Sequence, residues 1–80
     1  MHAGEVVHWV REHCVIDEGR EVSVDSRLLD EGLLDSMQIL MLVGDLEERS
    51  GVTIPLEMVV PENFETPTSV AAMMRRLTGG

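Results

Sequence analysis

Apolar positions along the chain fall into three stripes of helical period, and one long polar connection separates the first stripe from the second. Ala3, Val6, Val7, Val10 and Cys14 recur at the three- and four-residue spacing of a single helix face, predicting a first helix over about residues 3–14. Trp9 lies off the centre of that stripe and is expected to be half exposed. Asp17, Glu18, Gly19 and Glu21 then end the periodicity. Residues 15–35 read as a long loop carrying seven acids and two arginines, with Val22, Val24, Leu28, Leu29, Leu33 and Leu34 as apolar anchors. A connection this long without regular structure is uncommon and usually functional. Asp25-Ser26 ahead of Arg27-Leu28-Leu29 suits the start of one helical turn, and Gly32 suits its exit.

Residues 36–50 give the clearest helix. Ile39, Leu42, Val43 and Leu46 form its core stripe, Asp35 or Ser36 can cap its start, and Gly51 follows as a stop. Met37, Leu40, Met41 and Gly44 add a second, adjacent apolar strip, so this helix is apolar over more of its circumference than one core requires. Val52-Thr53-Ile54-Pro55 reads as an extended link, because proline biases the residue before it away from helix. A short third helix is expected within about 56–64, with Pro61 suited to a first turn. Thr66 then caps a last helix over about 67–77, in which Val70, Met73, Met74 and Leu77 line one face. Nothing reads as a β-hairpin or an internal repeat. The expectation is an all-α domain over residues 1–80, with three main helices and one short one.

Composition narrows the function. An apolar content of 44% supports a folded core, small as it must be in 80 residues. Fifteen acids stand against six arginines and no lysine, for a net charge of −9. That balance argues against nucleic acid and against an anionic membrane surface, both of which call for a basic face. It favours protein partners bearing basic patches, which an acidic field attracts and orients. No segment approaches the run of about 18 apolar residues that a membrane span needs, and residues 1–10 lack the pattern of a secretory signal. Cys14 is the sole cysteine, which excludes an internal disulfide and a cysteine-based metal site. The expectation is a soluble, cytoplasmic monomer.

Candidate chemistry is sparse. His2, His8 and His13 belong to the first helix or its entry, and the five-residue step from His8 to His13 keeps that pair off a common metal-binding face. They read as solvated surface groups, and Cys14 as a small buried apolar side chain in an acidic chain unsuited to a thiolate. No nucleophile elbow, phosphate-binding loop or paired-histidine zinc motif is present. That leaves Ser36, in the string Gly32-Leu33-Leu34-Asp35-Ser36-Met37. A serine there can simply cap the helix. It also begins the one helix with surplus apolar surface, and nothing in the chain is placed to activate its hydroxyl, so any chemistry on it belongs to another protein. A helix start suits a phosphodiester, because free N–H groups and the helix dipole favour negative charge.

That string resembles the phosphopantetheine attachment motif of acyl carrier proteins, Gly followed by two apolar residues and Asp-Ser-Leu, with Met37 in place of the leucine. The Ile54-Pro55 pair about 18 residues later and the final amphipathic helix also fit, so the likeness covers nearly the whole chain. It implies a helical bundle of the acyl-carrier type, with a 4′-phosphopantetheine arm attached at Ser36 and Asp35 beside it. It implies no catalysis by the domain itself. The arm's thiol would carry an acyl or aminoacyl group as a thioester, Cys14 not being that thiol. Implied partners are a phosphopantetheinyl transferase using magnesium and coenzyme A, an acyl- or aminoacyl-activating ligase of the adenylating kind, and a downstream acyltransferase or synthase. The second helix would be the recognition face, with Asp35, Met37, Met41, Asp45 and Glu48 as contact candidates. Asp45 can alternatively pair with Arg49 at i, i+4, and the two methionines can be core filler.

Met41 stands where carriers of fatty-acid synthesis generally have an acid. Pro61-Glu62-Asn63-Phe64 resembles D-alanyl and other aminoacyl carriers, and discrete carriers of specialised metabolism. Both departures favour an aminoacyl or specialised-pathway cargo over fatty-acid or polyketide synthesis. The competing reading is an acidic helical docking module, in which Ser36 is only a cap and no arm exists.

Overall fold

Three α-helices and two short 3₁₀ turns make up the regular structure: α1 (Ala3–His13), α2 (Ser36–Ser50), the turns Leu56–Met58 and Pro61–Phe64, and α3 (Pro67–Thr78). The structure, a computed structural model, describes residues 2–14, 16 and 19–79. Asp17 and Glu18, read from sequence as part of the stop after the first helix, lie outside the described residues, as do Met1, Val15 and Gly80.

Each helix starts and stops for a local reason. The His2 backbone N–H donates to the Glu5 carboxylate at 2.9 Å at the start of α1. Asp35 caps α2 by accepting from the Gln38 N–H at 2.9 Å, and Gln38 returns the bond to the Asp35 N–H at 3.2 Å. Thr66 and Ser69 form the same reciprocal pair at the head of α3, each bond 3.0 Å long. Gly51 ends α2 in the left-handed region (φ +74°), where its N–H reaches the Glu47 carbonyl.

The core forms where the stripes meet. Val6 and Val10 of α1, Leu42 and Leu46 of α2, and Val70, Met73 and Met74 of α3 are buried around Phe64. Helix α1 packs chiefly on α3. Trp9 corrects the sequence expectation: it is 2% exposed rather than half exposed. Its indole N–H donates to the Asp45 carboxylate of α2 at 2.6 Å, and its ring stacks on His13 with centroids 4.3 Å apart. The His13 Nδ1–H donates to the Trp9 carbonyl at 3.0 Å, which holds that ring in place.

The connection ahead of α2 is irregular but well tied down. One helical turn begins at Leu28 and ends at Gly32 (φ +71°), with the Leu33 N–H returning to the Leu28 carbonyl at 2.8 Å and the Gly32 N–H to Leu29 at 3.1 Å. This is the Schellman pattern, and its two apolar ends, Leu28 and Leu33, are both buried. The turn is not capped by Asp25 or Ser26 as the sequence suggested. The Arg27 N–H donates instead to the Glu31 carboxylate at 2.8 Å, and the Leu28 N–H to the Glu65 carbonyl at 2.7 Å. Hydrogen bonds from Arg20 and from the Arg27 N–H hold the Glu31 carboxyl below its ordinary value. Thr68 ties the same connection to α3, its hydroxyl donating to the Val24 carbonyl at 2.9 Å.

The short third helix takes the form of two 3₁₀ turns. Val60, held extended before Pro61 (φ −127°, ψ 154°), separates them, and Pro61 has no N–H with which to continue a helix across the joint. Asn63 ties the two together, its side-chain amide donating to the Met58 carbonyl at 2.7 Å.

Candidate functional site

Everything between Leu28 and Gln38 works to present one short segment. Leu33 and Leu34 are buried, which anchors the backbone immediately before the helix. Asp35 and Gln38 satisfy one another across the first turn, so the capping box makes no use of the Ser36 hydroxyl. Ser36 is the first residue of α2 and is exposed. The N–H groups of Ser36 and Met37 have no carbonyl to bond within the helix, since they belong to its first turn.

Two surfaces flank Ser36. On one side lies an exposed stripe of α2. Met37, Met41, Gly44 and Glu48 follow at i, i+4, i+7 and i+11 and all face solvent, with Leu40 beside them. Met37 is 71% exposed, Leu40 62% and Met41 51%, an uncovered apolar face beginning at the residue after Ser36. The alternative reading of Met37 and Met41 as core filler is therefore excluded. The stripe spans roughly 16 Å at the helical rise of about 1.5 Å per residue.

On the other side an open hollow of about 330 Å³ runs between α2 and the 3₁₀ turns. Ser36, Ile39 and Leu40 form one wall, and Val59, Val60, Pro61 and Phe64 the other. Among the described residues, Ser36 is the only polar side chain lining it. Sequence reasoning did not single out Leu40 or the Val59-Val60 pair for this neighbourhood. The signal was the surplus apolar strip on the second helix, which named Leu40 without saying what it faces.

Asp45 behaves differently from its neighbours. It is half buried and accepts the Trp9 indole N–H, so it joins α2 to α1 instead of pairing with Arg49. Glu48 remains exposed at the far end of the stripe. Cys14 is buried at 8% exposure, and burial, with a smaller contribution from the Asp35 charge, pushes its thiol above the ordinary value. Such a thiol is little ionised and poorly suited to nucleophilic work.

Known proteins are similar to this chain in sequence and fold. The phosphopantetheine attachment site family matches residues 8–74. D-alanyl carrier protein 2 of Lactiplantibacillus plantarum is 34% identical over 61 residues, covering 74% of this chain and 76% of that protein. The D-alanyl carrier protein of Lactococcus lactis subsp. cremoris is 36% identical over 62 residues, covering 78% and 77%. Lincomycin biosynthesis protein LmbN of Streptomyces lincolnensis is 34% identical over 74 residues, which take in 92% of this chain and 26% of that much longer protein. Among solved structures, a chain in a crystal structure of an FAD-dependent dehydrogenase superposes with a TM-score of 0.77 at 27% identity, over 88% of this chain and 99% of that one. The chain belongs to the phosphopantetheine attachment family and is an all-α carrier protein, holding its cargo as a thioester on a covalent 4′-phosphopantetheine arm.

Proposed function

We propose that Ser36 is the attachment residue and that the chain carries an aminoacyl group, or the acyl unit of a specialised pathway, between partner enzymes. One observation carries this reading: Ser36 presents an exposed hydroxyl at the first residue of α2, between an uncovered apolar face and an open apolar hollow. The residues around it fit the group. Asp35 and Gln38 secure the helix start between themselves and leave the serine oxygen free of that task. The unpaired N–H groups of Ser36 and Met37, with the helix dipole, favour the charge of a phosphodiester at that oxygen. When bound, the arm supplies the terminal thiol that carries the cargo.

Among the described residues, the side chains lining the hollow around Ser36 are otherwise apolar, so the hollow itself offers no base to the serine. The transferase supplies base and magnesium. In loading, Ser36 Oγ bonds to the pantetheine-bearing phosphorus of coenzyme A, the bond to 3′,5′-ADP breaks, and the hydroxyl proton passes to the transferase. The domain therefore acts as a substrate of enzymes and not as one. Met37, Leu40, Met41 and Glu48 form the face that the transferase, an adenylating ligase and a downstream acyltransferase or synthase each meet in turn. Asp45 serves that face by holding α2 against α1.

Two observations support a small cargo. The relatives of similar length are D-alanyl carriers, and LmbN belongs to lincomycin biosynthesis. The hollow beside Ser36, about 330 Å³ and open to solvent, lies at the low end of the range for small-molecule sites. We place this work in the cytoplasm, performed by a monomer; among the described residues no helix is long and apolar enough to cross a membrane.

Intact mass before and after incubation with coenzyme A, magnesium and a promiscuous phosphopantetheinyl transferase tests the reading. The wild-type chain is expected to gain one phosphopantetheinyl group, and Ser36→Ala none, with its helical circular dichroism unchanged. No gain on the wild type, while a control carrier in the same tube is modified, removes Ser36 as the attachment site and leaves an acidic docking module.

A further inference from the structure

Among the described residues the methionines range from fully buried to widely exposed, with Met58 partly buried between those limits. Met73 and Met74 of α3 are 0% exposed, whereas Met37 and Met41 of α2 are 71% and 51% exposed. Both exposed methionines lie on the same helix face, one and five residues after Ser36. Leu40, between them, supplies apolar surface of the same kind without an oxidisable atom. Among the other described oxidisable groups, Trp9 is 2% exposed, Cys14 is 8% exposed with its thiol pushed up by burial, and Met58 is only partly buried, on the 3₁₀ turn Leu56–Met58 and off the α2 face.

We propose that Met37 and Met41 form a reversible oxidation site, at which a peroxide converts their thioethers to sulfoxides and slows the loading of Ser36. The proposal rests on the reading of Ser36 as the attachment residue and of this α2 face as the transferase's contact. In the reaction a sulfur lone pair attacks one peroxide oxygen, the O–O bond breaks, a sulfur–oxygen bond forms and water leaves. Sulfur is oxidised by two electrons and the peroxide is reduced. The product is a polar, strongly accepting group on a face that a partner must desolvate, where an apolar group had stood. Methionine sulfoxide reductases of both epimer specificities reverse the change.

The test uses the full apo chain, which carries no arm thiol, treated with dilute hydrogen peroxide and quenched. Peptide mass spectrometry is expected to find added oxygen at Met37 and Met41 well before Met73 or Met74, with helical circular dichroism retained. The initial rate of phosphopantetheinyl transfer to the oxidised chain is expected to fall about tenfold, the effect of losing two apolar contacts of modest size. Treatment with both reductases is expected to restore it. A Met37→Leu/Met41→Leu variant sets its own untreated rate, and peroxide is expected to leave that rate unchanged, although Met58, Cys14 and Trp9 are still present.

An oxidised wild-type chain that loads as fast as the untreated one overturns the proposal alone. Equal peroxide sensitivity in the double variant also overturns it, by placing the damage elsewhere. An untreated chain that fails to load overturns the Ser36 reading and this proposal with it.

Discussion

Asp45 and Glu48 stand three residues apart on α2 and carry the same charge, yet their surroundings give them different work. Asp45 accepts a 2.6 Å hydrogen bond from the Trp9 indole, a group 2% exposed, whereas Glu48 faces solvent. Removing the acceptor strands a buried donor, and such a loss costs about 1–3 kcal/mol. Removing a surface charge away from any partner changes stability by about 0.5 kcal/mol or less. Asp45→Ala is therefore expected to lower the urea midpoint clearly and Glu48→Ala hardly at all. Equal midpoints would show that the indole bond does not hold α1 to α2. The periodicity of residues 3–14 could not reveal this pin. It registers a residue's spacing from its neighbours, and Trp9 is buried because a carboxylate 36 positions away completes its hydrogen bond. The placement of Ser36 at the start of α2, by contrast, could be read from the sequence because its signals are local: an acidic cap, a following apolar run and a preceding glycine turn.

At the scale of elements, the turn before α2 does what a strand or helix would do elsewhere, fixing where the Asp35-Ser36 segment emerges. Its hinge is Gly32, whose φ of +71° lies in the left-handed region, with nothing within 4 Å of the position a Cβ would take. Alanine there would meet no clash and would suffer only the backbone penalty, about 1–2 kcal/mol. Gly44 lies inside α2 with equally open space and helical backbone, so alanine there is expected to stabilise by about 0.5–1 kcal/mol. Opposite shifts in melting temperature check this pair, and loading of Gly32→Ala is expected to slow as the turn that positions Asp35 and Ser36 loosens. Two shifts of the same sign would refute the conformational account. The glycine exit and the caps of α2 and α3 could be read from the sequence because capping depends on neighbours within about four residues. The start of the Leu28 turn could not, because its donor is satisfied by the Glu65 carbonyl from the far side of the fold. The pattern of 56–64 reads as one short helix with Pro61 in a first turn and does not show its division into two turns, although a proline cannot carry a helical hydrogen bond across such a joint.

For the molecule as a whole the net charge of −9 is the dominant long-range fact, and it was readable in full because charge simply adds along a sequence. The described arginine–carboxylate ion pairs are Arg20–Glu31 and Arg27–Asp30, with His8 beside Glu12 as a pair that is ionic only when the imidazole is protonated, so most of the described acids stand without a cationic partner. The radius of gyration is 11.7 Å, close to the screening length of about 10 Å at 0.1 M salt. At low salt each surface acid therefore feels most of the others, and folding gathers that repulsion into a small volume. Melting temperature is expected to rise by several degrees as sodium chloride increases from about 0.01 to 0.3 M, since about 1 kcal/mol corresponds to 4–8 °C in a domain of this size. Neutralising three exposed acids outside those ion pairs, as in Glu21→Gln/Glu57→Gln/Glu62→Gln, is expected to raise the low-salt melting temperature and flatten the slope. A flat wild-type response would remove self-repulsion as a limit on stability. The same screening acts with the opposite sign on partner encounter, because an acidic field that opposes folding also steers basic surfaces towards α2. Transferase association is accordingly expected to slow over the salt range in which the fold gains stability. If association proves insensitive to salt while stability rises, the apolar stripe of Met37, Leu40 and Met41 carries recognition without help from the surrounding acids.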